Sequence, residues 1–167
     1  MCGIVGGVAE RSITNILVEG LKRLECRGYD SAGLALINKG HVLRERRVGK
    51  VANLEQAVEE ADITGSVGIA HTRWATHGKP TENNAHPHIS GTVAVVHNGI
   101  IENYQELKDD LEALGYVFTS QTDTEVVAHL VNDALKSTPS LLEAVKQVVP
   151  QLKGAYALGI VHTDHPD

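Results

Sequence analysis

The apolar run over residues 4–9 (Ile4, Val5, Gly6, Gly7, Val8, Ala9) reads as a buried strand, with glycines where a neighbour packs close to the backbone. Ile13, Ile16, Leu17, Leu21 and Leu24 then recur at helical spacing and predict a helix over 12–24. Lys22 and Arg23 fall in its last turn, where cations suit the helix dipole. A polar turn with two glycines follows at 26–33. Residues 34–37 and 41–47 predict a hairpin around Asn38, Lys39 and Gly40. Leu54, Ala57, Val58 and Ala61 predict a short helix, and 67–71 a buried strand. From 72 to 91 the periodicity stops. A stretch of that length inside a compact domain is usually functional or disordered, and Trp74, three histidines and few charges fit a solvated linker poorly. Residues 92–97 resume a strand, which ends on Asn98-Gly99.

In the second half, Asn103 with Glu106 and Thr122 with Glu125 have capping-box spacing and predict two helix starts. Leu107, Leu111 and Leu114 would line the first helix, and Gly115 would stop it. Val117 and Phe118 predict a short strand. Val127, Leu130, Val131, Ala134 and Leu135 form the buried stripe of the second helix. Thr138-Pro139 would open a third helix, with proline at its first position, carrying Leu141, Val145, Val148 and Val149. Residues 155–161 predict a last strand, and 163–167 a polar linker. Hairpin-like strand groups with clustered helices favour an α+β fold with mainly antiparallel sheets.

With 167 residues the chain can bury the core of one domain. Its 42% hydrophobic and 22% charged residues are ordinary for a soluble protein. A net charge of −6 gives nucleic acid no surface, and the mixed basic run at 44–50 reads as a solvated strand or turn. No apolar stretch reaches membrane-spanning length, and Glu10 and Arg11 interrupt the first run too early for a signal peptide. Two cysteines make no disulfide framework, so a reducing cytoplasm is expected.

Cys2 directly follows Met1, and a small second residue permits methionine removal. The exposed residue then carries both a thiol nucleophile and an α-amine, whose reference pKa of about 7.7–8.0 suits a proton acceptor. A cysteine near a terminus is otherwise a small buried hydrophobe. Thiolate attack on a carboxamide makes a tetrahedral oxyanion that needs placed donors. Asn98 offers a side-chain NH2 and Gly99 a backbone N–H. Arg73 can grip a substrate carboxylate with two hydrogen bonds, and Asp123 can take an ammonium. Each has a plainer reading: Asn-Gly as a turn, Asp123 as a helix-dipole partner, Arg73 as a surface ion pair, and His77, His86, His88 and His97 as core or loop histidines.

Five stretches together are specific: 2–6 (Cys-Gly-Ile-Val-Gly), 27–33 (Arg-Gly-Tyr-Asp-Ser-Ala-Gly), 71–78 (His-Thr-Arg-Trp-Ala-Thr-His-Gly), 96–103 (Val-His-Asn-Gly-Ile-Ile-Glu-Asn) and 122–125 (Thr-Asp-Thr-Glu). In these the chain resembles the N-terminal glutaminase domains of the glucosamine-6-phosphate synthase family, class II glutamine amidotransferases, over residues 2–167. The resemblance implies an N-terminal-nucleophile hydrolase fold, an αββα sandwich of two mainly antiparallel sheets between helical layers. It implies hydrolysis of L-glutamine to glutamate and ammonia through a γ-glutamyl thioester, without a cofactor or metal. Carried over by motif, Cys2 is the nucleophile and its α-amine the base, and Asn98 and Gly99 form the oxyanion hole. Arg73, Thr76, His77 and Asp123 bind glutamine. Trp74 lies on a loop that closes over glutamine and gates an ammonia channel, and Arg27 supports the site. The family passes ammonia to a C-terminal sugar-phosphate isomerase domain that aminates fructose 6-phosphate, in an enzyme expected to be a cytoplasmic homo-oligomer. That domain is absent from these residues; 1–162 is the expected glutaminase domain and 163–167 the start of a linker.

Cys26 departs from the family, standing where an aromatic residue is expected, and places a second thiol beside Arg27. Two other readings compete: a histidine metal site around His86-Pro87-His88 with His71, His77 and His97, whose spacing is loose for zinc, and a non-catalytic docking module.

Overall fold

The computed structural model describes residues 2–25, 28–75 and 78–165. Cys26, Arg27, Thr76 and His77, named above, lie outside the described residues, as does Met1.

The strands form two sheets. In the first, the order is β1 (Gly3–Val8), β4 (Val67–Arg73), β2 (Ser31–Asn38), β3 (His41–Val48). In the second it is β5 (His88–Ser90), β6 (Val93–Gly99), β7 (Tyr156–His162). Every pairing is antiparallel. Helices α1 (Thr14–Leu24) and α2 (Val51–Ala61) cover the outer face of the first sheet. Helices α3 (Tyr104–Ala113), α4 (Thr124–Ala134) and α5 (Leu141–Val148) cover the second.

The four layers follow from alternation along strands buried on both faces. In β2, Leu34 and Leu36 pack under α1 and α2, whereas Ala35 and Ile37 face the second sheet. In β6, Val93 and Val95 pack under the three later helices, whereas Ala94 and Val96 face back across the sandwich. The β2–β3 hairpin turns through Lys39 and Gly40, both at positive φ (48° and 76°).

Several local expectations give way to tertiary partners. β1 is an edge strand rather than a buried one, with Val8 exposed. Val117 and Phe118 form no strand, Val117 and Leu114 are exposed, and only Leu107 and Leu111 of α3's apolar row are buried. Neither capping box forms. Asn103 spends its side chain on the Gln151 carbonyl and the Lys153 N–H. α5 begins at Leu141, capped by Ser140 Oγ, which accepts the Glu143 N–H. The 44–50 run is not simply solvated. Arg46 donates to the carbonyls of Asn83 and Ala85, and Arg44 to that of Pro87, so β3 grips the backbone of the aperiodic stretch.

Glu125 serves the segment before α4 instead of a capping box. Its buried carboxylate accepts the N–H and hydroxyl of both Thr119 and Ser120. Burial alone would raise its pKa, but the nearby His129 ring and these donors outweigh that and hold it well below the usual glutamate value. Glu125→Gln keeps the shape but turns an NH2 against N–H and O–H donors, and is expected to cost about 2–4 kcal/mol. Because the folded pKa is depressed, the charge stabilises fully above the unfolded value and less as pH falls below it. Urea unfolding should therefore show the wild-type advantage shrinking from about pH 4.5 downward.

Candidate active site

The start of β1 and the ends of β4 and β6 converge at one edge of the sandwich. Gly3 pairs with Thr72, and its N–H donates to Thr72 Oγ1 at 3.0 Å, which sets Cys2 beside the end of β4. There a cleft of about 230 Å³ is lined by Cys2, Arg73, Trp74, His86, His97, Gly99, Ile100, Thr122, Asp123 and Thr124. A larger groove of about 400 Å³ beside α1, lined by residues such as Val5, Ile16 and Arg23, has no nucleophile.

Cys2 is half-buried, and its Sγ accepts the Trp74 N–H at 3.1 Å. Asn98 Nδ2 donates to the Cys2 carbonyl at 3.2 Å, so the amide expected to serve the oxyanion stands beside the nucleophile's own backbone. Gly99 has φ +122°, and a Cβ there would lie 2.1 Å from the Ala155 carbonyl; only glycine fits at this rim.

Arg73, almost fully buried, is set by the loop that follows it. Its guanidinium donates to the carbonyls of Gly78 (3.4 Å) and Lys79 (3.3 Å) and lies 3.6 Å from Asp30 Oδ1. Burial lowers its pKa, while the Asp30 carboxylate favours the charge. Asp30 also accepts the Ala75 N–H at 2.5 Å, and its own N–H donates to the Arg73 carbonyl at 2.7 Å. Trp74 projects past this clamp, 55% exposed, with its ring over Gly28.

Asp123 sits at the start of α4, buried, with Oδ2 accepting the Ile101 N–H at 2.8 Å and Oδ1 3.9 Å from His97 Nδ1. The cleft thus has a fixed cation from the end of β4 and a fixed anion from the start of α4. An α-amino acid carries the complementary pair of charges. Asn84 ties the walls together: it donates to the Lys79 carbonyl and to Gln121 Oε1, and accepts the Gln121 N–H.

Behind the cleft lies a histidine cluster. His71 Nε2 is 2.7 Å from Asn98 Oδ1, 3.0 Å from the His97 carbonyl and 3.2 Å from His86 Nδ1. Thr124 Oγ1 bridges His86 Nε2 and His97 Nδ1 at 3.0 Å each, and Thr122 Oγ1 meets His88 Nε2 at 3.0 Å. Burial lowers the pKa of His71 to about 4 and that of His86 well below its usual value. These rings bond to hydroxyls, carbonyls and one another, and among the described residues no three His, Cys, Asp or Glu side chains are placed so that they could hold a metal ion.

Of the sequence-predicted site residues, Cys2, Arg73, Trp74, Gly99 and Asp123 line the cleft, and Asn98 touches Cys2 from behind. Thr122, Thr124 and Ile100 also line it without having been picked as site residues, their sequence signal being their place in the 96–103 and 122–125 motifs; so do His86 and His97, which the sequence offered only as metal ligands or as core or loop histidines.

Residues 71–167 match the glutamine amidotransferase domain family. The chain is similar over its whole length to proteins named glutamine–fructose-6-phosphate aminotransferase (isomerizing). Identity is 80% for that of Acinetobacter baylyi, 63% for that of Pseudomonas putida and 60% for that of Escherichia coli. It spans only 27–28% of the length of these relatives. Among solved structures, glutamine phosphoribosylpyrophosphate amidotransferase from Bacillus subtilis superposes with TM-score 0.77 at 30% identity, covering 97% of this chain and 35% of that one. An allosteric regulatory enzyme of purine biosynthesis gives 0.78 at 32%, with the same coverage. These neighbours agree with an N-terminal-nucleophile sandwich.

Proposed function

Since the chain belongs to the glutamine amidotransferase domain family, we propose that this cleft hydrolyses L-glutamine to L-glutamate and ammonia. The observation that carries the reading is the grouping of the Cys2 thiol, the Arg73 guanidinium and the Asp123 carboxylate around one cleft of about 230 Å³.

Arg73 takes the α-carboxylate of glutamine, Thr76 and His77 contribute to glutamine binding as the family resemblance implies, and Asp123 takes the α-ammonium. Held at both charges, the substrate presents its side-chain amide to Cys2, which replaces an intermolecular encounter with a positioned one. After removal of Met1, the α-amine of Cys2 accepts the thiol proton as sulfur attacks the amide carbon. The oxyanion forms against Asn98 Nδ2 and the Gly99 N–H. The protonated amine then gives its proton to the departing nitrogen, ammonia leaves, and a γ-glutamyl thioester remains. Water, deprotonated by the same amine, attacks the thioester; glutamate departs and the thiol is restored. Trp74 covers the substrate, and Arg27 has the supporting role that the family resemblance implies. No cofactor takes part.

That the chain spans only 27–28% of its relatives' length supports a longer protein, of which residues 1–162 are in this reading the glutaminase part. Residues 163–167 lead toward a sugar-phosphate domain where ammonia aminates fructose 6-phosphate. Among the described residues no helix is long and apolar enough to cross a membrane, and we place the enzyme in the cytoplasm.

Intact mass spectrometry after treatment with a diazoketone analogue of glutamine tests the reading. Loss of Met1, a single adduct on Cys2 and parallel loss of glutamate release are expected. A protein without Met1 that takes no adduct and releases no ammonia from glutamine overturns it.

A further inference from the structure

We propose that His71 is a positioning residue for amide cleavage: its Nε2–H holds the Asn98 carboxamide with the NH2 end turned toward Cys2. The proposal rests on the glutaminase reading above. The His97 carbonyl, 3.0 Å from His71 Nε2, can only accept, so that nitrogen carries the proton. The same proton faces Asn98 Oδ1 at 2.7 Å, the shortest of its contacts. At the other end of the amide, Nδ2 lies 3.2 Å from the Cys2 carbonyl, which also can only accept. A flipped Asn98 would set NH2 against the His71 N–H and oxygen against oxygen at Cys2. Two fixed partners therefore impose one orientation, the one that aims a donor at the nucleophile's side of the cleft.

The neighbouring rings agree with this tautomer. With a proton on His71 Nε2, His86 Nδ1 at 3.2 Å must offer a lone pair, so His86 carries its proton on Nε2. That proton goes to Thr124 Oγ1, whose hydroxyl is then left to donate to His97 Nδ1. His71 is fully buried, and its Nδ1 has no hydrogen-bond partner. An apolar side chain would fill the space without that orphan atom, so packing alone does not call for histidine here. Burial keeps the ring uncharged at neutral pH, and its task needs only the neutral N–H.

Kinetics of glutamate release on the protein without Met1 test the role. Asn98→Ala sets the scale, with a kcat loss of about 10²–10³-fold. His71→Leu is expected to lower kcat about 10–100-fold while KM stays within about threefold. His71→Gln, whose amide N–H can reach the same oxygen, should recover most of that loss. A folded His71→Leu protein with wild-type kcat overturns the proposal, as does His71→Gln performing no better than His71→Leu. The tautomer is read on the unsubstituted protein by long-range proton–nitrogen NMR of the histidine rings. A proton on Nε2 is expected, and a proton on Nδ1 overturns the proposal even if neither variant folds. An unsubstituted protein that releases no glutamate is a failure of the glutaminase reading instead, and the tautomer then decides.

Discussion

Cys2→Ala is expected to lower glutamate release by at least about 10⁴-fold, since only the residual effect of the binding cradle survives loss of a nucleophile. The fold should persist. The Cys2 side chain is half-buried, and its hydrogen-bonding contacts are with the Trp74 backbone, so the cost in stability should stay below about 1 kcal/mol. A coupled glutamate assay beside a thermal unfolding curve separates the two. Substantial activity in the folded variant would remove Cys2 from the chemistry. Retention of glutamine binding, measured by calorimetry, would show that the cradle outlives its nucleophile.

Arg73→Ala should act on binding instead. A charge-assisted pair of hydrogen bonds to a carboxylate is worth roughly 3–4 kcal/mol in a buried site, which predicts a rise in KM of about 10²–10³-fold. Some loss of kcat should accompany it, because the guanidinium also holds the Gly78 and Lys79 carbonyls and neighbours Asp30. Arg73→Lys should not rescue, since a point charge cannot reproduce two parallel N–H bonds. Initial-rate kinetics over a wide glutamine range check both statements. An unchanged KM in Arg73→Ala would exclude the arginine from the clamp.

The sandwich could be read from the sequence where the physics is local. β2, β4 and β6 are apolar on both faces because each lies between a helical layer and the other sheet, and such runs stand out whatever their partners. Helix α3 does begin after Asn103, as expected, but the capping bonds failed for the opposite reason. Asn103 and Glu125 have the right spacing for caps, but their side chains reach Lys153, Gln151, Thr119 and Ser120, partners that spacing does not report. Leu114 and Val117 are apolar yet exposed, which periodicity cannot foresee. At the site, Cys2, Arg73, Asn98, Gly99 and Asp123 were visible because each stands where an element begins or ends. Asn84, Gln121, His86 and Thr124 were not, because their roles exist only once the 78–90 segment folds back against α4.

Cys2 and Arg73 ride on one sheet, whereas Asn98 and Gly99 ride on the other. What fixes the separation between the Cys2 sulfur and the Asn98 and Gly99 donors is thus the thickness of the greasy filling between the sheets, made of Ala35, Ile37, Val67, Ile69, Ala94, Val96 and Val161. Such fillings are packed like solids. Swapping one alanine there for a bulkier neighbour would pry the two halves apart like a shim, detuning the reaction from a distance without touching anything glutamine touches.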